Sequence, residues 1–184
     1  MVIKLFGKNI FAVYSHYIMR ITASSAARSD DEGNYSLKSL NLSEFDSKLL
    51  CGSTLGVPAL KRLSGSNGEN CEGFVLTSCS SDETLGTIWL MYRGGNDIEY
   101  RIRNIDAYIF DVFVSPSERG KGIAGIMIAK IMNHLKEQGI DSAYLAVSKK
   151  NTSAIKAYRK SGFEICSEKA FARVLKVNIP YHKL

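Results

Sequence analysis

The chain has 184 residues, of which 45% are hydrophobic, and a formal net charge of +6. This length predicts one domain with a sizeable core, and no apolar run approaches the ~20 residues that a membrane-spanning helix needs. The four cysteines show no CxxC spacing and only three histidines are present. We therefore expect no metal site, reduced thiols and a cytoplasmic location.

Charge is unevenly distributed along the chain. Residues 1–28 carry four basic and no acidic residues, residues 29–118 have a net charge of −7, and residues 119–184 have a net charge of +9. A basic C-terminal third suits a polyanionic ligand such as a phosphorylated cofactor. No nucleic-acid-binding module is recognisable, so we expect no nucleic acid partner.

Residues 1–34 are predicted to form an amphipathic N-terminal extension followed by a linker. The apolar positions with helical spacing are Ile3, Phe6, Ile10, Val13 and Tyr17. Three interpretations stay open: a helix docked on the domain, an interfacial membrane helix, or a targeting segment. Basic residues without acids beside large apolar ones favour peripheral membrane contact through residues 1–21, at the inner face of a membrane.

From residue 35 onwards, strand and helix patterns alternate, and residues 35–184 are predicted to form one domain. Strands are predicted at residues 35–40, 73–79, 85–92, 100–114, 143–147, 163–167 and 171–177. Helices are predicted at residues 42–50, 57–63, 122–138 and 151–161. This order indicates a mixed α/β sheet.

A glycine-rich loop precedes the clearest predicted helix. Its glycines Gly120, Gly122 and Gly125 match the dinucleotide fingerprint GxGxxG, in which backbone amides at a helix N-terminus bind a pyrophosphate. Two details disagree with a dinucleotide site. Five residues separate the loop from Val114 at the strand end, and the strand at 143–147 is not followed by an acid that would bind a ribose.

The same loop resembles a motif of the GNAT superfamily of acyl-CoA N-acyltransferases. Arg119-x-x-Gly122-x-Ala124 is similar to the family's Gln/Arg-x-x-Gly-x-Gly/Ala, and residues 111–116 resemble the family's fourth strand. Downstream, Asn151-x-x-Ala154-Ile155-x-x-Tyr158-x-x-x-Gly162-Phe163 resembles the family's fifth-strand and fourth-helix signature. The resemblance covers residues 35–177. It implies a GNAT-like mixed, mostly antiparallel sheet of six to seven strands, flanked by helices and splayed between the family's fourth and fifth strands.

The resemblance also implies acetyl-CoA as cosubstrate, without a metal. Its pantetheine arm would lie in the splay, against the backbone of one strand, and its pyrophosphate would lie on the loop. The implied cofactor-binding residues are Val112, Phe113, Val114, Arg119, Gly120, Lys121, Gly122, Ile123, Ala124, Asn151 and Tyr158. Lys156, Arg159 and Lys160 are candidates for contact with the 3′-phosphate.

Two residues are the catalytic candidates. In the family, a tyrosine at the position of Tyr158 protonates the departing thiolate. Many relatives place a glutamate base where this chain has Ala146, which cannot accept a proton. Asp111 is the carboxylate nearest to the expected reaction centre, and it would take the proton of an acceptor amine, bind the amine electrostatically or cap local backbone groups. Asn151 would bind the cofactor near the splay or hold a water, and it could also cap the following helix.

The sequence therefore predicts an N-acetyltransferase that moves the acetyl group of acetyl-CoA directly to a primary amine. The acceptor would be a small molecule, including an amino sugar, or a peptide, and residues 94–103 are expected to help form its pocket. Ala146 prompts a second hypothesis, a catalytically silent acyl-CoA-binding module. A dinucleotide-dependent enzyme is the third, and monomer and homodimer are both compatible with the sequence.

Overall fold

The computed structural model describes residues 2–5, 8–27, 33–40, 71–81, 83–92, 107–174 and 177–181. The predicted helices at 42–50 and 57–63 and the segment 94–103 lie outside the described residues. The described strands are β1 (Val2–Leu5), β2 (Lys8–Thr22), β3 (Tyr35–Leu40), β4 (Cys71–Ser78), β5 (Thr84–Met91), β6 (Ala107–Val114), β7 (Ser142–Ser148), β8 (Glu164–Val174) and β9 (Val177–Tyr181). The described helices are α1 (Ile123–Glu137) and α2 (Thr152–Lys160), and a 3₁₀ turn spans Pro116–Glu118.

These strands form one mixed sheet in the order β3-β4-β5-β6-β7-β2-β8-β9, and β1 pairs with the first half of β2. Among the described strands, β6 and β7 are parallel and every other pairing is antiparallel. The predicted mixed, mostly antiparallel fold is therefore confirmed. The described residues give the sheet nine strands, because the first 22 residues contribute β1 and β2.

The prediction of an N-terminal helix is wrong, since residues 8–22 form the central strand β2. This strand pairs with β7 on one side and with β8 on the other. Ile18 and Met19 are adjacent and both buried, which means that β2 is covered on both faces. A strand that is buried on both faces does not alternate strictly between apolar and polar residues. The spacing of its apolar residues can therefore also match that of a helix. The predicted membrane contact rested on that helix and loses its basis.

No helix among the described residues has the length and hydropathy required to cross a membrane.

Helix α1 covers one face of the sheet, as its apolar spacing predicts. Ile123, Met127, Ile131 and Leu135 are buried against core residues of the strands. Gly139 follows the helix with a φ of 75°, a conformation in which glycine is the preferred residue. The helix therefore begins and ends where the glycines indicate.

The two closing strands are predicted incorrectly in one respect. Residues 164–174 form the single strand β8, because they pair with β2 from Arg20 back to Phe11. A register shift between Ile18 and Met19 interrupts this ladder without ending it. Long-range pairing with β2 thus extends a strand across the polar residues that locally suggest a break.

Candidate active site

Strands β6 and β7 run side by side for a short distance and then diverge. Their pairing is restricted to Ala107 with Ala143, Tyr108 with Tyr144, and Ile109 with Leu145. Both strands continue beyond these pairs, β6 to Val114 and β7 to Ser148. The divergence leaves an open gap between two strand ends, as the resemblance implies.

The divergence begins at a bulge in β6. Phe110 pairs with Trp89, and Phe113 pairs with Thr87. Between these two pairs, β6 has two residues where β5 has one. The first of the two is Asp111, whose φ is 50°. A positive φ is uncommon for a residue other than glycine, and a bulge bends its strand and re-aims the following groups.

Neighbouring strands hold the two ends apart. On the β6 side, the amide of Ser115 donates to the carbonyl oxygen of Leu85 at 2.8 Å, and its hydroxyl donates to the carbonyl oxygen of Thr84 at 3.0 Å. On the β7 side, the amide of Lys149 donates to the carbonyl oxygen of Ser15 at 3.0 Å. The gap is therefore bounded by β5 through β6 and by β2 through β7.

Three residues of β6 are expected to bind the cofactor through their backbone, and the carbonyl oxygens of two of them have different surroundings. The carbonyl oxygen of Phe113 lies against β5, since a Cβ built on Gly86 would be 2.5 Å from it. The carbonyl oxygen of Val114 accepts a hydrogen bond from Nε of Arg119 at 3.3 Å. Successive backbone groups of a strand alternate in direction, so this arrangement favours Val112 and Val114 as the residues that face the gap.

The loop after β6 presents free amide groups at the N-terminus of α1. Gly120 and Gly122 have φ values of 81° and 84°, and a Cβ built on either would meet nothing within 4 Å. Within the described part of the chain, the amides of Gly120, Gly122, Ile123 and Ala124 have no acceptor. Outward-facing amides at a helix N-terminus bind anionic groups, so this loop fits a pyrophosphate.

The third glycine of the formal GxGxxG pattern is not required by the backbone. A Cβ on Gly125 would lie 3.6 Å from Oγ of Ser161, which is an ordinary contact, and its φ is not positive. In a dinucleotide site, the third glycine is needed for close packing of the helix. The dinucleotide hypothesis loses support at this position.

The loop cations have local partners. Nζ of Lys121 lies 2.9 Å from Oε1 of Glu118, while the Lys121 side chain remains 60% exposed. Glu118 was not singled out in the sequence, although its i,i+3 spacing to Lys121 is typical of a local ion pair. An incoming phosphate would compete with Glu118 for Lys121.

Tyr158 and Asp111 interact electrostatically across the site. Burial of Tyr158, and then the negative charge of Asp111, raise the pKa of the tyrosine to about 12. The Tyr158 ring packs on Phe163 with a centroid distance of 5.7 Å and contacts the core. The two predicted catalytic residues are therefore close enough for one to influence the ionisation of the other.

Asn151 caps helix α2. Its Oδ1 accepts the backbone amide of Ala154 at 3.2 Å and the hydroxyl of Ser153 at 3.1 Å. The predicted capping of the helix by Asn151 is thus observed, and its contact with a cofactor stays a prediction. The candidates for the 3′-phosphate, Lys156, Arg159 and Lys160, all have exposed side chains on this helix.

A turn after β2 docks on the end of α2, which sequence analysis did not anticipate. Oγ of Ser25 donates to the carbonyl oxygen of Gly162 at 3.3 Å, and the amide of Ala27 donates to the carbonyl oxygen of Ser161 at 3.2 Å. Gly162 has a φ of 103°. The N-terminal segment therefore supports the helix that carries Tyr158.

Comparison with known proteins agrees with this geometry. Residues 51–163 match the model of the Acetyltransferase (GNAT) family. The chain is 29% identical over 102 residues to streptothricin acetyltransferase of Streptomyces lavendulae, covering 55% of this chain and 50% of that protein. It is 27% identical over 112 residues to mycothiol acetyltransferase of Saccharomonospora viridis, covering 61% and 36% respectively. The chain thus spans half or less of the length of these relatives.

A solved structure shares the fold. The GNAT family acetyltransferase from Elizabethkingia anophelis, with acetyl-CoA bound, superposes with a TM-score of 0.56 at 15% identity, over 74% of this chain and 80% of that one. The family match extends over more than half of the chain and includes the diverging strands, the glycine loop and the whole signature from Asn151 to Phe163. The chain therefore belongs to the GNAT acetyltransferase family.

Proposed function

We propose that this chain binds acetyl-CoA and transfers its acetyl group directly to a primary amine of a small-molecule or peptide acceptor. The gap between β6 and β7 carries the proposal, because it joins a bulged strand, an amide-lined loop and a partly buried tyrosine. The relatives named as acetyltransferases support the transfer, and the acetyl-CoA-bound neighbour supports the cofactor. One relative is named for streptothricin and the other for mycothiol, and we take these two names as support for a small-molecule acceptor.

When bound, acetyl-CoA would supply an activated acetyl thioester. The amides of Gly120, Gly122, Ile123 and Ala124 would hold its pyrophosphate, with Arg119 and Lys121 adding positive charge. Val112 and Val114 would hold the pantetheine arm through their backbone, with Phe113 between them. Asn151 would bind from the start of α2.

Tyr158 would protonate the departing sulfur. Its pKa of about 12 keeps the hydroxyl protonated at neutral pH, so that it can donate when the thiolate forms. The negative charge of Asp111 disfavours a tyrosinate nearby and is the second cause of this raised pKa, after burial. Proton acceptance by Asp111, or electrostatic binding of the amine, remains a prediction that the variant Asp111→Asn tests.

The proposal is tested by binding and turnover together. Calorimetry with acetyl-CoA is expected to give saturable binding, and calorimetry with NAD is expected to give none. Thiol release with a panel of primary amines is expected above the hydrolysis rate, with the acetylated acceptor identified by its mass. Tyr158→Phe is expected to lower kcat by about 10²- to 10⁴-fold, the usual contribution of a positioned acid.

Tyr35→Phe on β3 is the matched control, and its turnover is expected to equal that of the unmodified chain. Saturable acetyl-CoA binding with no thiol release from any amine, unchanged by Tyr158→Phe, would support the second candidate, a catalytically silent acyl-CoA-binding module. Ala146 is the observation that favours this candidate, because it removes a familiar base position. Binding of NAD but not acetyl-CoA would contradict both.

A further inference from the structure

We propose that His16 on β2 accepts the proton that the acceptor amine must lose before it attacks the acetyl group. This inference rests on the proposed function. An alkylamine with a pKa near ~10 is an ammonium ion at neutral pH and has no electron pair with which to attack. A neighbouring group that accepts the proton therefore determines the reaction rate at neutral pH.

The register of β2 against β7 places His16 beside the empty base position. Ile18 lies directly across from Ala146, and His16 lies directly across from Ser148. Residues directly opposite each other in an antiparallel pair project from the same face of the sheet. His16, Ala146 and Ser148 therefore share one face, next to the end of β7 that borders the gap.

The β7 residues beside His16 on this face have small side chains. Neighbouring strands are about 4.8 Å apart, and diagonal neighbours on one face have Cβ atoms about 7–8 Å apart. Ala146 and Ser148 carry short side chains, so no large side chain of β7 stands on this face between the imidazole and the strand end. A histidine one strand away from the gap can thus substitute for a carboxylate on β7 itself.

The surroundings keep the imidazole neutral and able to accept a proton. His16 is half-buried, its Nδ1 is inaccessible to solvent, and burial lowers its pKa below the ordinary value of 6.5. On this face, Lys169 of β8 lies directly opposite His16, while Arg20 of β2 and Tyr144 of β7 lie four residues further along their strands.

Asp111 and His16 would then have different tasks. The carboxylate of Asp111 raises the pKa of Tyr158, which places its effect on the leaving-group side of the reaction. His16 lies on β2, one strand beyond β7, which is the other strand that borders the gap. The proton to the sulfur would thus come from Tyr158 on α2, and the proton from the nitrogen would go to His16 on β2.

The proton balance of the step is complete with these groups. One N–H bond of the ammonium breaks, its proton binds a ring nitrogen of His16, and the electron pair stays on the amine nitrogen. A bond then forms from that nitrogen to the acetyl carbonyl carbon, and the carbon–sulfur bond breaks. The sulfur takes the hydroxyl proton of Tyr158, the second proton lost by the nitrogen restores that hydroxyl through solvent, and His16 releases its proton to water.

The test compares His16→Gln with the unmodified chain, using two amines of different basicity. Glutamine is polar and of similar size but cannot act as a base at neutral pH. For an alkylamine, kcat/KM at pH 7 is expected to fall by about 10²- to 10⁴-fold. For an amine that is already neutral at pH 7, such as an aromatic amine or hydroxylamine, the loss is expected to be much smaller, with an unchanged Kd for acetyl-CoA.

The pH profile provides the second readout. In the unmodified chain, kcat/KM is expected to rise through an apparent pKa below 6.5 and then to level off. In His16→Gln this step is expected to vanish, and the rate for the alkylamine should climb with pH as the amine loses its proton in solution. Ser167→Ala, on the same face of β8, is the matched control and should retain the profile of the unmodified chain.

Equal losses for both amines, or an unchanged pH profile in His16→Gln, would overturn the inference and leave the proposed function intact. Acetyl-CoA binding monitors folding, and His16→Asn repeats the comparison if His16→Gln does not bind acetyl-CoA. Absence of thiol release from the unmodified chain with every amine would overturn the proposed function, and the inference with it.

Discussion

A Cβ atom built on Gly162 would lie 2.1 Å from the carbonyl oxygen of Ser25. The glycine ends the helix that carries Tyr158, and the serine belongs to the turn that follows β2. The close approach of these two backbones connects the N-terminal segment to helix α2. Sequence alone explains the glycine by its position at a helix end, whereas the structure adds this contact as a second reason.

Gly162→Ala is expected to destabilise the fold more than Gly139→Ala. Both glycines have a positive φ, which costs another residue about 1–2 kcal/mol. A Cβ on Gly139 meets nothing within 4 Å, whereas one on Gly162 clashes with backbone and adds about 1–3 kcal/mol. Denaturant unfolding of the two variants measures the difference, and equal losses of stability would contradict the contact.

The central position of β2 is tested by a pair of adjacent substitutions. Met19 is fully buried, so Met19→Ala is expected to lower the free energy of unfolding by about 2–5 kcal/mol. Arg20 is exposed, and its guanidinium lies 5.7 Å from the centre of the Tyr144 ring. Arg20→Ala is therefore expected to cost less than about 1 kcal/mol. A small effect of Met19→Ala in urea unfolding would be incompatible with a central strand.

The glycine loop is tested by comparing two alanine variants. Gly122→Ala forces a side chain into a φ of 84°, and the resulting strain of about 1–2 kcal/mol would turn the loop amides away from the pyrophosphate. The Kd for acetyl-CoA is expected to rise by about tenfold, since 1.4 kcal/mol corresponds to that factor. Gly125→Ala has room for its Cβ and should bind as the unmodified chain does. Calorimetry that ranks the two variants in the opposite order would refute this role of Gly122.

Asp111→Asn is expected to lower the pKa of Tyr158 from about 12, because the variant removes the negative charge that disfavours the tyrosinate. Burial, the larger cause, remains, so the pKa should stay above the ordinary value of 10. Carbon-13 NMR of labelled tyrosines up to pH 11 measures the ionised fraction, with Tyr158→Phe assigning the resonance. Identical titration of Tyr158 in the variant and the unmodified chain would show that Asp111 acts elsewhere.

The raised pKa of Tyr158 also makes the free energy of unfolding depend on pH. The pKa of Tyr158 in the folded state lies above the ordinary value, so the protonated hydroxyl contributes to the free energy of unfolding. This contribution is fully present below pH 10 and is lost as the pH rises through about 12. The difference in unfolding free energy between the unmodified chain and Tyr158→Phe should therefore shrink across this window. Urea unfolding at several pH values measures it, and a constant difference would contradict burial of the hydroxyl.

The region from β6 to α2 could be predicted from the sequence because its signals are local. Gly122 and Gly139 delimit α1 through their backbone conformations, and Asn151 caps α2 with its own side chain. The spacing of apolar residues in α1 identifies its buried face without reference to any partner. The GNAT motifs lie in the same stretch, so the fold class and the candidate cofactor loop could be predicted from neighbouring residues.

The role of the N-terminal segment was decided by tertiary structure. β2 is a strand because β7 and β8, more than a hundred residues away in the chain, supply its hydrogen-bond partners on both sides. Its burial on both faces removes the alternation that would distinguish a strand from a helix in the sequence. The position of His16 opposite Ser148 depends on that pairing register, and no local pattern contains it.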